Sequence, residues 1–252
     1  MRETEKRGTQ EDIYSRVLGM VRRYSEHTDR MPPEETLAAE LGISRVKLRD
    51  VLAILETQGY IDRAKGVGTL INRHVLQENV RLDIDVIYEE IVEAAGFTPR
   101  TLVRKLQYLA NTPAHIAERL EISPEQPVWT VEKVVYADEQ PAIYLRDFIL
   151  PKYYNQNDID MRLLAKSTFS FIQNYVKNAL ESMVVRVDAC GADDAVAAEL
   201  NVAPGTPILC LETMCYGLRG NPVLCSVEYH NTKLLPYSFF KRLNRTQYYT
   251  GE

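Results

Sequence analysis

Apolar residues recur at spacings of three and four through the first quarter of the chain. Ile13, Val17, Leu18, Val21 and Tyr24 form one stripe, and Leu48, Val51, Leu52 and Leu55 form another. Residues so spaced share a helix face, so the pattern predicts amphipathic helices over 9–26 and 45–58. Between them "DRMPPEE" breaks the first helix, and Pro33 suits the first turn of a short second one over 34–41. Gly42 can take the left-handed conformation that closes that helix, and Ser44 offers a hydroxyl as N-cap to the next. After Gly59 the period changes: "YIDRAKGVGTLINR" holds two short strand-like pieces around Gly66 and Gly68, which read as a hairpin.

Helix, tight turn, helix and hairpin together predict a winged helix-turn-helix. The helix over 45–58 is thin enough for a DNA major groove, and the hairpin can reach the flanking backbone. Arg45, Val46 and Arg49 lie outside the apolar stripe of that helix, and Arg45 and Arg49 stand one turn apart. They are candidate base-reading residues, with Lys65 and the hairpin glycines Gly66 and Gly68 beside phosphate.

Residues 72–84, "NRHVLQENVRLDI", are polar without firm periodicity and read as a linker. Beyond it a helix is expected over 85–95 and a strand over 99–109. An internal repeat follows. "IAERLEISPEQPVWTVEKVVYADEQP" and "VAAELNVAPGTPILCLETMCYGLRGNP" align at a constant offset, pairing Ile116 with Val196, Pro127 with Pro207 and Tyr136 with Tyr216. Each copy reads as a short helix, a proline turn and a long two-stranded hairpin, which together predict an antiparallel sheet with pseudo-twofold symmetry. Between the copies a helix is expected over 167–180, with Phe171, Ile172 and Tyr175 inward, and then a strand over 182–190. The fold class is α+β.

Composition narrows the function. At 252 residues and 45% hydrophobic content the chain can bury two cores, and no apolar run approaches membrane-spanning length. No secretion signal opens it, so the cytoplasm is the expected compartment. The net charge of -5 hides an asymmetry: the first 75 residues are slightly basic and the remainder is acidic. That suits one small phosphate-facing surface on an otherwise acidic, soluble protein. Cys190, Cys210, Cys215 and Cys225 form no CxxC, and all four are expected as buried free thiols. Neither a metal site nor a cofactor is indicated.

The stretch "ETLAAELGISRVKLRDVLAILETQGYIDRAKGVGTLI" resembles the DNA-binding domain of GntR-type bacterial transcription regulators. The duplicated second half is similar to the UTRA effector-binding domain of the HutC subfamily, which implies a chorismate-lyase-like antiparallel sheet domain with helices. The resemblance implies a winged helix-turn-helix over 1–71, a linker over 72–84 and an effector-binding, dimerising domain over 85–252. It matches Ser44, Arg45, Val46, Lys47 and Arg49 to the recognition helix, and Lys65, Gly66 and Gly68 to the wing. Lys47 replaces the family's usual small hydroxyl residue, Pro33 its serine and Glu35 a residue that is often basic, so operator identity does not carry over from relatives.

In the second domain the resemblance places Lys133 and Val135 where phosphosugar-binding relatives carry two arginines, and Thr101 at a hydroxyl position on the opening strand. Strand alternation puts Ser226, Glu228 and His230 on one face, and His230 matches an aromatic pocket position. An effector with an anionic or polar head near Lys133 and Arg146, and an apolar or aromatic body near Tyr144 and Phe169, is expected.

The function expected is a ligand-responsive regulator, acting as a repressor, whose homodimer reads an inverted repeat in double-stranded DNA and answers a small-molecule effector. Two alternatives stand beside it: a chorismate-lyase-like enzyme, and a constitutive DNA binder whose second domain only dimerises.

Overall fold

The first apolar stripe is buried as expected: Ile13, Val17 and Val21 on α1 (Gln10–Ser25) pack against α2 (Glu34–Leu41) and α3 (Arg45–Thr57). From α3 come Leu48, Val51, Leu52 and Leu55, none more than 1% exposed. Gly42 closes α2 at φ 65°, ψ 33°, a left-handed conformation that disfavours a side chain, and Ser44 Oγ accepts from the Lys47 amide at 3.3 Å. The wing is β1 (Ile61–Ala64) paired antiparallel with β2 (Gly68–Ile71). The loop before α2 adds a third rung, since Met31 N–H donates to Thr69 and Ile71 N–H to Asp29.

The computed structural model describes residues 10–84, 87–153, 160–175 and 180–243. It divides into two units, Met1–Asp85 with Ser238–Glu252, and Val86–Tyr237. The first unit therefore takes in two stretches that the sequence reading placed elsewhere. The expected linker contains α4 (Arg73–Leu76), and it buries Val75, Val80 and Arg81 on the first unit. One helical turn supplies one buried position, too few to show a period. Ser238, expected with the second domain, pairs with this stretch: its N–H donates to Val80 at 2.8 Å, and Leu82 N–H donates to Ser238 at 3.0 Å.

The second unit is a six-stranded antiparallel sheet in the order β3-β4-β5-β8-β7-β6. Its strands are β3 (Pro99–Leu109), β4 (Val128–Ala137), β5 (Gln140–Ile149), β6 (Ser182–Gly191), β7 (Pro207–Tyr216) and β8 (Pro222–His230). The sequence repeat is visible in that order: β3-β4-β5 and β6-β7-β8 run outward from a pseudo-twofold axis between β5 and β8. Helix α6 (Ala114–Arg119) precedes β4, and α9 (Asp194–Leu200) likewise precedes β7. Both lie on one face of the sheet, against Val128 and Phe148 for α6 and against Val134 and Tyr144 for α9. The other face carries Val131, Ile149 and Leu224, covered by Leu164 of α7 (Met161–Lys166) and by Phe171 and Ile172 of α8 (Thr168–Tyr175).

Helix α7 was not expected, and α5 (Tyr88–Ala94) stands within the predicted 85–95. The positions 85, 86 and 176–179 of predicted helices, and the Tyr175 side chain, lie outside the described residues. Edge strand β6 is exposed along all ten residues.

The cysteines correct the expectation of four free thiols. Cys215 and Cys225 are buried and free, but Cys190 and Cys210 form a disulfide. The register puts Cys210 opposite Asp188 and Cys190 opposite Ile208, so the two are diagonal neighbours on one face of the exposed edge. Burial fails as an argument for a free thiol on such a strand.

Candidate functional site

The first turn of α3 presents a cationic surface. Ser44, Arg45, Val46, Lys47 and Arg49, on and just before the first turn of α3, are all exposed, Val46 at 70%. Val46 lies among three cations, and an apolar side chain so placed could meet a thymine methyl group. Arg49 does not stand alone: its Nε donates to Glu34 Oε2 at 2.6 Å. In the wing, Lys65, Gly66 and Gly68 are exposed at the tip, with Gly66 at φ 80° and Gly68 at φ 101°, where a side chain would be strained. Arg63, at the base, is engaged by Glu56 of α3 through its amide at 3.0 Å and its Nε at 2.8 Å.

The second unit holds a buried polar cluster on the sheet face covered by α7 and α8. The register sets Lys133 of β4 opposite Leu145 of β5, two residues before Asp147, while Ser226, Glu228 and His230 alternate along β8. Lys133, Asp147, Ser226, Glu228 and His230 are each at most 3% exposed. Charged groups so placed need partners. Lys133 Nζ donates to Thr168 Oγ1 of α8 at 2.6 Å and lies 3.8 Å from Asp147 Oδ2, to which Thr168 also donates. Glu228 accepts from Thr213 Oγ1 at 3.0 Å and lies 3.1 Å from His230 Nε2. The other ring nitrogen, Nδ1, lies 2.5 Å from the Tyr237 hydroxyl.

Burial pulls the Lys133 ammonium down from its ordinary value, against the carboxylates of Asp147 and Glu89, and pushes the Asp147 carboxyl up against Lys133. Each charge is offset by the other and by the hydroxyl of Thr168, with Glu89 also acting on Lys133. Burial also raises Tyr237 well above its ordinary value, so its phenol keeps the proton beside His230 Nδ1.

Residues 9–71 match the gntR family of bacterial regulatory proteins, and residues 94–235 match the UTRA domain. The chain belongs to the UTRA family and carries a gntR-type DNA-binding region ahead of that domain. Among relatives it is 30% identical to YurK, an HTH-type transcriptional regulator of Bacillus subtilis, over 46% of this chain and 47% of that one. It is 25% identical to the HTH-type transcriptional regulator Rv0792c of Mycobacterium tuberculosis, over 86% of this chain and 78% of that one. The solved structure of YydK from Bacillus subtilis superposes with a TM-score of 0.72 at 19% identity, covering 93% of this chain and 99% of that one. The regulator is accordingly a ligand-responsive DNA-binding transcription factor, with its winged domain in the first unit and its UTRA domain in the second. Its fold and family agree with the HutC-type arrangement read from the sequence.

Of the expected effector residues in this regulator, the structure brings Lys133, Glu228 and His230 to one cluster, and Thr101 lies on the same face, donating to Glu89 Oε1 at 3.2 Å. Phe169 is partly buried among the apolar residues beneath α7 and α8. Tyr144 and Arg146 do not join them. Alternation from Asp147 turns both to the opposite face, where Arg146 Nη2 donates to the Tyr144 hydroxyl at 3.0 Å and its Nε lies 3.3 Å from Glu132 Oε1. Tyr144 stacks on Tyr229, with ring centroids 6.0 Å apart.

The expected pairing of Lys133 with Arg146 around one anion is therefore corrected: the cation beside Lys133 is absent, and a carboxylate, Asp147, takes its place. Asp147, Thr168, Thr213 and Tyr237 were missed. Asp147 could have been found, since it is the residue of β5 nearest in sequence that alternates onto the Lys133 face. Thr168, on a helix, and Tyr237, beyond the last strand, left no periodic signal.

Proposed function

We propose that the regulator binds an inverted-repeat operator as a homodimer in the cytoplasm, represses the adjoining genes, and changes operator affinity when a small polar metabolite occupies the Lys133–Asp147–Glu228–His230 site. Arg45, Lys47 and Arg49 would contact base edges and phosphates, with Val46 against a methyl group. The Ser44 hydroxyl, already the helix cap, would leave its backbone for phosphate. Lys65 and the main chain at Gly66 and Gly68 would follow the flanking backbone. Repression needs no contact with polymerase, because a dimer seated over about two helical turns of duplex excludes it sterically.

The observation that carries this reading is the exposed row from Arg45 to Arg49 on a helix whose opposite face is fully buried. A dimer is supported by β6, exposed on both faces at the edge of the sheet. The effector site is supported by the burial of two carboxylates, an ammonium and an imidazole on one sheet face, a costly arrangement that stability alone does not favour. No catalytic step is assigned to it.

Selection of duplexes from a random pool by the full-length protein tests the DNA half. An enriched half-site that recurs inverted about one helical turn away is expected, and its loss of discrimination in Arg45→Ala and Arg49→Ala variants that remain folded. Enrichment unchanged by both substitutions would overturn the assignment.

A further inference from the structure

We propose that residues 238–242 are a transmission strap, which passes a change at Tyr237 to the carboxyl end of recognition helix α3. The inference rests on the reading that Glu228 and His230 belong to the effector site.

One end of the strap is fixed by the second unit's polar cluster. Glu228 lies 3.1 Å from His230, and His230 lies 2.5 Å from the hydroxyl of Tyr237, the last residue of that unit. The next residue, Ser238, already belongs to the first unit. The two are consecutive residues joined by one planar peptide bond.

The other end grips α3 at several points. Ser238 bridges Arg81 and exchanges backbone hydrogen bonds with Val80 and Leu82. Phe240 N–H donates to Asp83 at 3.3 Å, and its ring lies over the Arg81 guanidinium, which has Tyr60 on its other contact at 5.0 Å. Arg81, 3% exposed, donates to the carbonyl of Gln58 at 2.7 Å, and Arg242 donates to the carbonyl of Glu56 at 3.0 Å and to Asp62 of the wing at 2.6 Å.

Two of the last carbonyls of the recognition helix, which a helix cannot satisfy internally, are thus capped by cations that the strap supplies or holds. Gly59 shows how close the fit is: a methyl built there would sit 2.3 Å from the Phe240 ring.

Residues 80–82 and the strap run side by side within the first unit. A ligand that reorganises Glu228 and His230 need only shift Tyr237 to loosen or tighten the grip on α3 and the wing base. Such a shift costs operator affinity in proportion to how differently the two arrangements hold the reading helix.

The test is hydrogen exchange on full-length protein, following the amides of Gln58, Gly59 and Tyr60, which donate to Ile54, Glu56 and Leu55 at the end of α3. A Phe240→Ala/Arg242→Ala double variant is expected to exchange at these amides about tenfold faster, with α1 unchanged. Tyr237→Phe, which removes only the hydroxyl facing His230, is expected to change the same amides in the wild-type background and not in the double variant. If Tyr237→Phe leaves them unmoved, or moves them equally with the strap broken, the strap carries no signal and the proposal is overturned. These amides are followed without DNA, so failure to select any duplex would refute the DNA-binding reading while exchange still decides the strap.

Discussion

Arg49 of the recognition helix donates to Glu34 of the first turn of α2 at 2.6 Å. The guanidinium that the sequence assigns to DNA is therefore held in the free protein by a carboxylate of the preceding helix. An exposed pair of this kind is worth at most about 1 kcal/mol, less than a bidentate contact between arginine and guanine, at about 1–3 kcal/mol. The pair should open on the operator. Glu34→Gln is expected to raise affinity for any duplex by a few fold at low salt, the gain shrinking as salt rises. Arg49→Ala should erase discrimination between the selected duplex and a scrambled one. Anisotropy titrations at two salt concentrations check both, and a tighter-binding Arg49→Ala variant would contradict the assignment.

The Lys133–Asp147 pair makes a second prediction, on stability. Both residues are no more than 3% exposed. Lys133→Met leaves Asp147 with hydroxyl partners alone, and removing one member of a buried pair typically costs about 3–5 kcal/mol. Replacing both, as Lys133→Met/Asp147→Leu, should restore much of that loss, because well-packed apolar residues often match a buried ion pair. Denaturant unfolding of the single and double variants measures the difference. Equal losses in both would mean that the pair is not coupled.

Much of this was legible beforehand, and the limits are physical. The winged domain could be read because α1 and α3 each bury one continuous face, and Gly42, Ser44 and the wing glycines need particular backbone conformations. The pseudo-twofold symmetry of the second sheet followed from the repeat. What periodicity cannot carry is a contact made by isolated residues: Val75 and Arg81 in the presumed linker, Tyr237 after the last strand, and Phe240 over Gly59 all act singly. Tyr144 and Arg146 went to the wrong face for another reason. Alternation was not carried through β5, where a one-residue step exchanges the two faces of the strand and Asp147, not Arg146, shares the face of Lys133. The cysteines failed because β6 looks apolar enough to be buried and is exposed along its length.

Tyr14 gives a prediction with a pH window. Its hydroxyl donates to Gln58 at 2.7 Å, and burial pushes its pKa up from 10.0 to about 12. Between those values the folded protein keeps a proton that the unfolded chain releases, so unfolding becomes easier as pH rises. The contribution is present in full below pH 10.0 and is lost as pH climbs toward about 12. Tyr14→Phe should flatten the fall in first-unit stability over this interval, leaving the slope that Tyr60, also raised by burial, still provides. Denaturant midpoints compared across the window test it. An unchanged slope in the variant would show that Tyr14 is not the group titrating.

The exposed edge strand makes the last prediction. Val184 and Val187 are 55% and 50% exposed on opposite faces of β6, with Met183 and Val185 also open, so neither face of the strand is covered by the described residues. Soluble proteins commonly protect such edges with charge, proline or a bulge. Here the strand offers apolar side chains on both faces, with Arg186 and Asp188 between them. A second copy is the occupant that a two-headed reader of an inverted repeat requires, and it would cover the strand on both faces only by wrapping around it, not by extending the sheet edge to edge. Val184→Lys/Val187→Lys is therefore expected to shift the full-length protein from dimer to monomer in sedimentation velocity. Binding to an isolated half-site should remain within a few fold, while binding to the full inverted repeat should fall by 10²–10⁴, the usual scale of lost effective concentration. A variant that stays dimeric and binds the full repeat as tightly as before would move the subunit contact away from β6.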